Sequence, residues 1–210
     1  MGQKVNPIGF RLGILYSWQS RWFADGKRYT TLLLEDNKIR KFLGEKLKNA
    51  GLARVEIERS INKLDIIIFS SRPGIIIGRG GTGLEDLKKQ LEKIFLKEKS
   101  ITKINLSVEA VKEPNLDAFL MATNIAEQLA KRLPHKRVIR MAAEKIMEAG
   151  AKGMRIKLSG RIAGAEISRT EKIQKGALSL GTLREKVDYA SVPSLTRSGY
   201  IGVKVWICKK

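Results

Sequence analysis

Apolar residues recur with two periods along the chain, and each change of period marks an element. Ile39, Phe42, Leu43, Leu47 and Ala50 keep helical spacing, and Gly51 supplies a stop. Val55 and Ile57 alternate with Arg54, Glu56 and Glu58, the pattern of a half-buried strand. Ser60, Ile61 and Asn62 read as a turn, and the apolar run from Leu64 to Phe69 reads as a more buried strand. Pro73 breaks that run and suits the first position of a short helix. Beyond a glycine-rich loop, Leu84, Leu87, Leu91, Ile94 and Phe95 line one helix face, with Lys88, Lys89 and Lys93 on the other. Ile104, Leu106 and Val108 alternate as a third strand. The order is therefore helix, strand, strand, short helix, glycine loop, helix, strand, with a boundary at 111–115.

The second half begins with a helix expected from about Leu116 to Arg132, with Asn115 as its N-cap. Another is expected from Pro134 to about Ala149, ended by Gly150. Strand patterns follow: Met154, Ile156 and Leu158; a bend over 160–164 continuing through Ala165 and Ile167; Leu183, Val187 and Tyr189; and Ile201, Val203, Val205 and Ile207. Two helices would cover one face of a four-stranded, mainly antiparallel sheet, an α+β arrangement. Residues up to about 30 look irregular. The division expected is an arm over 1–30, one domain over 31–110 and a second over 111–210. In the arm, Trp18, Arg21, Trp22 and Phe23 interleave charge with aromatic rings. They either stack on bases or dock the arm onto its own domain.

Composition changes the picture through charge. The 210 residues hold 41 Lys and Arg against 21 Asp and Glu, a formal charge of +20 with a pI near 10.2. Both halves are basic, which points to a polyanion as partner, with nucleic acid favoured. Hydrophobic residues make up 43%, enough for packed cores. One Cys and one His do not assemble a zinc site of the usual ligand types, and Cys208 reads as a buried structural thiol. No apolar stretch approaches membrane-spanning length, and the first residues have no apolar core of a secretory signal. A cytosolic protein with no cofactor and no membrane association is expected.

The segment Gly74–Lys89 carries two overlapping motifs. Gly78, Gly80 and Gly83 spell G-x-G-x-x-G, a dinucleotide fingerprint. That reading needs a buried parallel strand before the loop, which Ile75–Ile77 after Pro73 hardly supplies. Gly78, Arg79, Gly80 and Gly81 spell GXXG, the loop with which a KH module clamps a nucleic-acid backbone between two helices. Glycines there let phosphates approach without a Cβ in the way. The bland alternative is a helix–helix turn that binds nothing.

A second candidate is the run from Leu129 to Lys145. Lys136, Arg137 and Arg140 fall within an arc of roughly 100° on a helix, apart from the core-facing Val138, Ile139, Ala142 and Ile146. Only Glu144, four residues on, is spaced to pair with Arg140. Such a face holds phosphates without sequence preference. Catalytic signals are weak: His135 has no nucleophile motif beside it, and Glu166 and Glu171 are expected to pair with Arg161 or Arg169. The chain reads as no enzyme.

The opening "MGQKVNPIGFRLG", the loop "RPGIIIGRGG", the run "SGRIAGAEISRTE" and the closing "TLREKVDYA…YIGVKVWI" together resemble the bacterial small-subunit ribosomal protein S-three family, across essentially the whole chain. The resemblance implies a type II KH domain with a three-stranded sheet and helices on one face, followed by an α+β domain. It implies a place in the head of the small ribosomal subunit, bound to 16S-type ribosomal RNA and beside the head proteins S-ten and S-fourteen. It further implies a role lining the channel where messenger RNA enters and helping to unwind it, at positions that align with Lys136, Arg137 and Arg140. Lys4, Arg11, Arg21, Lys131, Arg132, Arg161 and Arg169 are expected as additional ribosomal RNA contacts. A cytoplasmic ribosome is implied, and a plastid source stays open. Two departures stand out. Gly80 replaces one of two basic residues that many members carry inside GXXG, which weakens phosphate attraction there. The sequence also stops at Lys210, short of the tail of some relatives.

Overall fold

The structure is a computed structural model that describes residues 4–60, 63–95 and 103–209, without the side chains of Ile94 and Phe95. The expected turn at Ile61 and Asn62, and the packing of Ile94 and Phe95, lie outside the described residues. The chain divides into two compact units. One spans Trp18–Lys112; the other joins Met1–Ser17 to Glu113–Lys210. The contacts thus split the segment expected as a single arm, sending its first part to the second unit and its last part to the first.

The first unit opens with a two-residue strand, β1 (Ser20–Arg21), and a long helix, α2 (Gly26–Lys46); a single-turn helix, α1 (Pro7–Phe10), precedes them in the second unit. Gly51, at φ 65°, turns the chain into β2 (Leu52–Arg59), a left-handed conformation that costs glycine nothing. There follow β3 (Lys63–Ser70), the short helix α3 (Pro73–Ile77), α4 (Thr82–Phe95) and β4 (Lys103–Ala110). The sheet order is β1-β2-β3-β4, with β2 and β3 antiparallel and both outer pairs parallel. Four strands stand where three were expected, because Ser20 and Arg21 pair alongside Ile57 and Glu58. The inward residues Val55, Ile57, Leu64, Ile66, Ile68 and Ile104 meet Ile39, Leu43, Ile76, Leu87 and Leu91 of the helices in one core.

In the second unit, α5 (Ala118–Ala130) and α6 (His135–Glu148) pack on one face of a fully antiparallel sheet of β5 (Gly153–Gly160), β6 (Arg169–Gly176), β7 (Val187–Thr196) and β8 (Gly199–Cys208). The order is β6-β5-β8-β7. The N-cap of α5 is Asp117 rather than Asn115: its carboxylate accepts from Phe119 and Leu120 N–H, each at 3.0 Å. The second strand of this sheet is Arg169–Gly176, not the expected continuation through Ala165 and Ile167. Ile167 is 83% exposed, and residues 162–164 form a tight turn that separates it from β5.

Candidate nucleic-acid interface

Helix α6 is built by a division of faces. Val138, Ile139, Ala142, Ala143 and Ile146 are buried in the core, so the helix is pinned by apolar burial on one side. Lys136, Arg137 and Arg140 project from the other and are exposed. None of the three makes an ion pair or side-chain hydrogen bond among the described residues, so Arg140 does not use the Glu144 spaced to pair with it. The first turn holds no acidic residue, and Pro134 provides no side-chain cap. Free N–H groups and the positive end of the helix dipole therefore sit beside the three cations, an arrangement suited to phosphate.

His135, at the start of the same helix, places Nε2 3.0 Å from Glu171 Oε2 and so ties α6 to β6. Glu171 was expected to pair with Arg161 or Arg169. Instead Arg161 donates to the Ala165 carbonyl at 2.9 Å, and Arg169 reaches the Ile162 carbonyl at 3.4 Å. Both arginines stay exposed, with no carboxylate partner among the described residues.

The glycine loop joins two helices, α3 and α4, not a strand to a helix. That geometry rejects the dinucleotide reading and suits the KH one. Gly78, Gly80 and Gly81 have φ of 70°, 63° and 84°. No heavy atom would lie within 4 Å of a Cβ at Gly80 or Gly81, so their open side admits a ligand's approach. Gly83 differs: its Cβ would lie 2.5 Å from the Ile76 carbonyl oxygen, so this glycine lets α4 close on α3. Arg79 is exposed, with no side-chain bond among the described residues.

Of the additional cations, Lys4, Lys131 and Arg132 are exposed. Arg21 is largely spent on Glu56 and Glu58, at 2.8 and 2.6 Å. Arg11 is corrected. It is fully buried, and its guanidinium donates to the carbonyls of Pro7, Ser179, Leu180, Thr182 and Glu185 at 2.8–3.3 Å. Its role is to pin the first residues to the loop before β7, and its complete burial keeps the guanidinium from RNA. The aromatic cluster divides: Trp22 donates to Asp36 at 2.8 Å and lies 5.5 Å from Tyr29, whereas Trp18 and Phe23 are 67% and 86% exposed. The sequence reading missed Lys157, Lys172 and Lys204, which the register brings into one row; their outward positions in the strand alternation were the available signal.

Among the described residues, no three His, Cys, Asp or Glu side chains are grouped to hold a metal ion. No described helix is long and apolar enough to cross a membrane.

A glycine loop between two helices over a mixed sheet, followed by a second helix-on-sheet unit, defines a KH-domain protein of two units. Residues 38–116 match the KH domain family and residues 125–207 match the family described as ribosomal protein S3, C-terminal domain. Over 209 residues, all of this chain, it is 46% identical to the small ribosomal subunit protein uS3 of Desulforamulus reducens and 48% identical to that of Caldicellulosiruptor saccharolyticus, covering 92% of each. It is 46% identical to the one from Parabacteroides distasonis, covering 83% of it. The chain belongs to the small ribosomal subunit protein uS3 family; it is a ribosomal protein and not an enzyme.

Proposed function

We propose that this protein sits in the head of the small ribosomal subunit, held by phosphates of 16S-type ribosomal RNA, beside S-ten and S-fourteen, in cytoplasmic or plastid ribosomes. In this reading the α6 face lines the channel through which messenger RNA enters, and Lys136, Arg137 and Arg140 grip the incoming strand. The observation that carries it is the three exposed cations at the start of α6, with no carboxylate bound to any of them among the described residues. The charge of +20 and the kinship with uS3 proteins support RNA as the partner. The chain supplies no motor, so strand separation draws its energy from translocation while the cations hold one strand by its backbone. The GXXG loop, with Arg79 as its one charge, adds a weaker backbone contact, as do Lys4, Lys131, Arg132, Arg161 and Arg169.

The test is translation through a messenger hairpin by ribosomes carrying Lys136→Ala, Arg137→Ala and Arg140→Ala together. Slowing at the hairpin, with unstructured messages read at the parent rate, is the expected result. Equal slowing on both messages would overturn the channel role, and sedimentation of the tagged chain apart from small subunits would overturn the ribosomal placement.

A further inference from the structure

The sheet of the second unit has two faces, and only one carries α5 and α6. The other is read from alternate positions: Thr170, Lys172 and Gln174 on β6; Arg155, Lys157 and Ser159 on β5; Gly202, Lys204 and Trp206 on β8; Tyr189, Ser191 and Pro193 on β7. No acidic residue occupies any of these positions.

The register sorts them into rows. Lys157 lies directly opposite Lys172 on one side and opposite Lys204 on the other. Three lysines thus stand side by side across three adjacent strands, about 10 Å from end to end at the usual strand spacing. Like charges directly opposite each other destabilise a sheet, and none of the three has an ion pair among the described residues. The next row runs Gln174, Arg155, Trp206, Tyr189. Arg155 donates to the neutral side-chain amide oxygen of Gln174 at 3.0 and 2.7 Å and keeps its charge. Trp206 and Tyr189 stand 5.1 Å apart by ring centroid, half-exposed. The row on the other side is small and low: Thr170, Ser159, Gly202, Pro193.

We propose that this sheet face, opposite α5 and α6, is a platform for single-stranded RNA, separate from the α6 face on the other side of the sheet. The lysine row takes successive phosphates, the Trp206–Tyr189 pair takes a base, and the small row leaves room for the strand to lie flat. Charge complementarity selects a polyanion, and the aromatic pair beside the cations selects one with bases. The inference rests on RNA being the partner of the chain as proposed above, and it adds a second surface for it.

The experiment is titration of the full chain with a fluorescent twelve-nucleotide oligouridylate over a range of salt. Lys157→Ala, Lys172→Ala and Lys204→Ala together should weaken binding at least ten-fold and lower the salt slope by about 2, three phosphate contacts on a single strand. Trp206→Ala should weaken binding on the order of ten-fold with the salt slope unchanged. The triple Lys→Arg variant should bind like the parent, and the triple Lys→Ala variant should melt no lower than the parent because it removes facing like charges. Undiminished RNA binding by both sheet variants, with loss only in the α6 triple, would overturn this platform and leave the α6 reading intact. Loss of binding to polyglutamate with RNA affinity unchanged would overturn it in favour of an acidic protein. Absence of RNA binding by the parent itself would overturn both readings.

Discussion

Asp36 receives Arg59 twice on one carboxylate oxygen, from Nε at 2.9 Å and from Nη2 at 2.7 Å. The side chains are 3% and 7% exposed. The other oxygen of Asp36 accepts Ser20 Oγ at 3.0 Å and Trp22 Nε1 at 2.8 Å. One buried carboxylate therefore fastens the end of β2 and the strand β1 to helix α2. Removing it leaves a guanidinium in a dry site with Glu35 still 2.7 Å from Nη1. Asp36→Ala should destabilise the protein by about 3 kcal/mol, the lower end of the range for breaking a buried pair, and should move Trp22 fluorescence toward that of a solvated indole. Urea unfolding followed by tryptophan emission measures both; a loss under about 1 kcal/mol would contradict the buried network.

That network also explains where the sequence was hard to read. The front of α2 buries Glu35 and Asp36 while Leu33 and Leu34 stand 47% and 55% exposed. The apolar residues mark the wrong face, so periodicity located the helix only from Ile39 onward. Strand β6 escaped for a related reason: Ile173 is its only large apolar residue, and as an edge strand it needs no more. Elements with an ordinary inward apolar face, α4, β3, β5 and β8, were legible, and so was the outward cationic arc of α6. The spending of Arg11 on five carbonyls was not, because four of its acceptors lie about 170 residues away.

Asp117 caps α5 while lying close to Asp188, which accepts the Ala118 N–H at 3.1 Å. Burial first, and then the Asp188 charge, push the Asp117 carboxyl above the ordinary carboxylate range. Folded Asp117 thus holds its proton more tightly than unfolded Asp117, and this group's contribution to stability falls as pH rises through the window between the two values. Asp117→Asn keeps a capping oxygen and removes the charge. It should be more stable than the parent at neutral pH, with the gain vanishing in acid below both values. Asp117→Ala should be about 1 kcal/mol less stable than Asp117→Asn. Thermal melts from pH 3 to 8 separate the cases; a gain that persisted unchanged into acid would refute the assigned cause.

Arg132 sits just beyond α5 at φ 62°, where glycine is the usual residue. Its N–H donates to the Leu129 carbonyl at 2.9 Å, closing the end of the helix. The left-handed conformation costs a residue with a Cβ roughly 1–2 kcal/mol, so Arg132→Gly should raise stability by about 1 kcal/mol. Arg132→Ala should raise it little, since the strain remains. If the side chain serves a phosphate, both variants should lose the same RNA affinity despite their different stabilities. Melting temperature and salt-dependent RNA binding, measured on the pair, test this directly. Equal stability of the two variants would remove the strain argument, and unchanged affinity would remove Arg132 from the RNA contacts.

Two glycines, one in the loop before α4 and one in its first turn, predict different outcomes on replacement. Gly83 has helical backbone, where alanine would ordinarily gain about 1 kcal/mol. Its Cβ would meet backbone, however: the Ile76 carbonyl oxygen at 2.5 Å and the Ile77 carbonyl oxygen at 3.1 Å. Gly83→Ala must push α4 away from α3 and should cost about 1–3 kcal/mol net, the range for overpacking a close contact. Gly80→Ala meets nothing within 4 Å and pays only for its φ of 63°, roughly 1–2 kcal/mol. The difference is functional. Gly80→Ala keeps the α3–α4 contact but puts a methyl on the loop's open side, so it should weaken RNA binding while amide exchange in α4 stays slow. Gly83→Ala should speed exchange in the first turns of α4. Fast exchange in both variants would mean that the glycines serve the turn alone and that the loop's open side is not a binding surface.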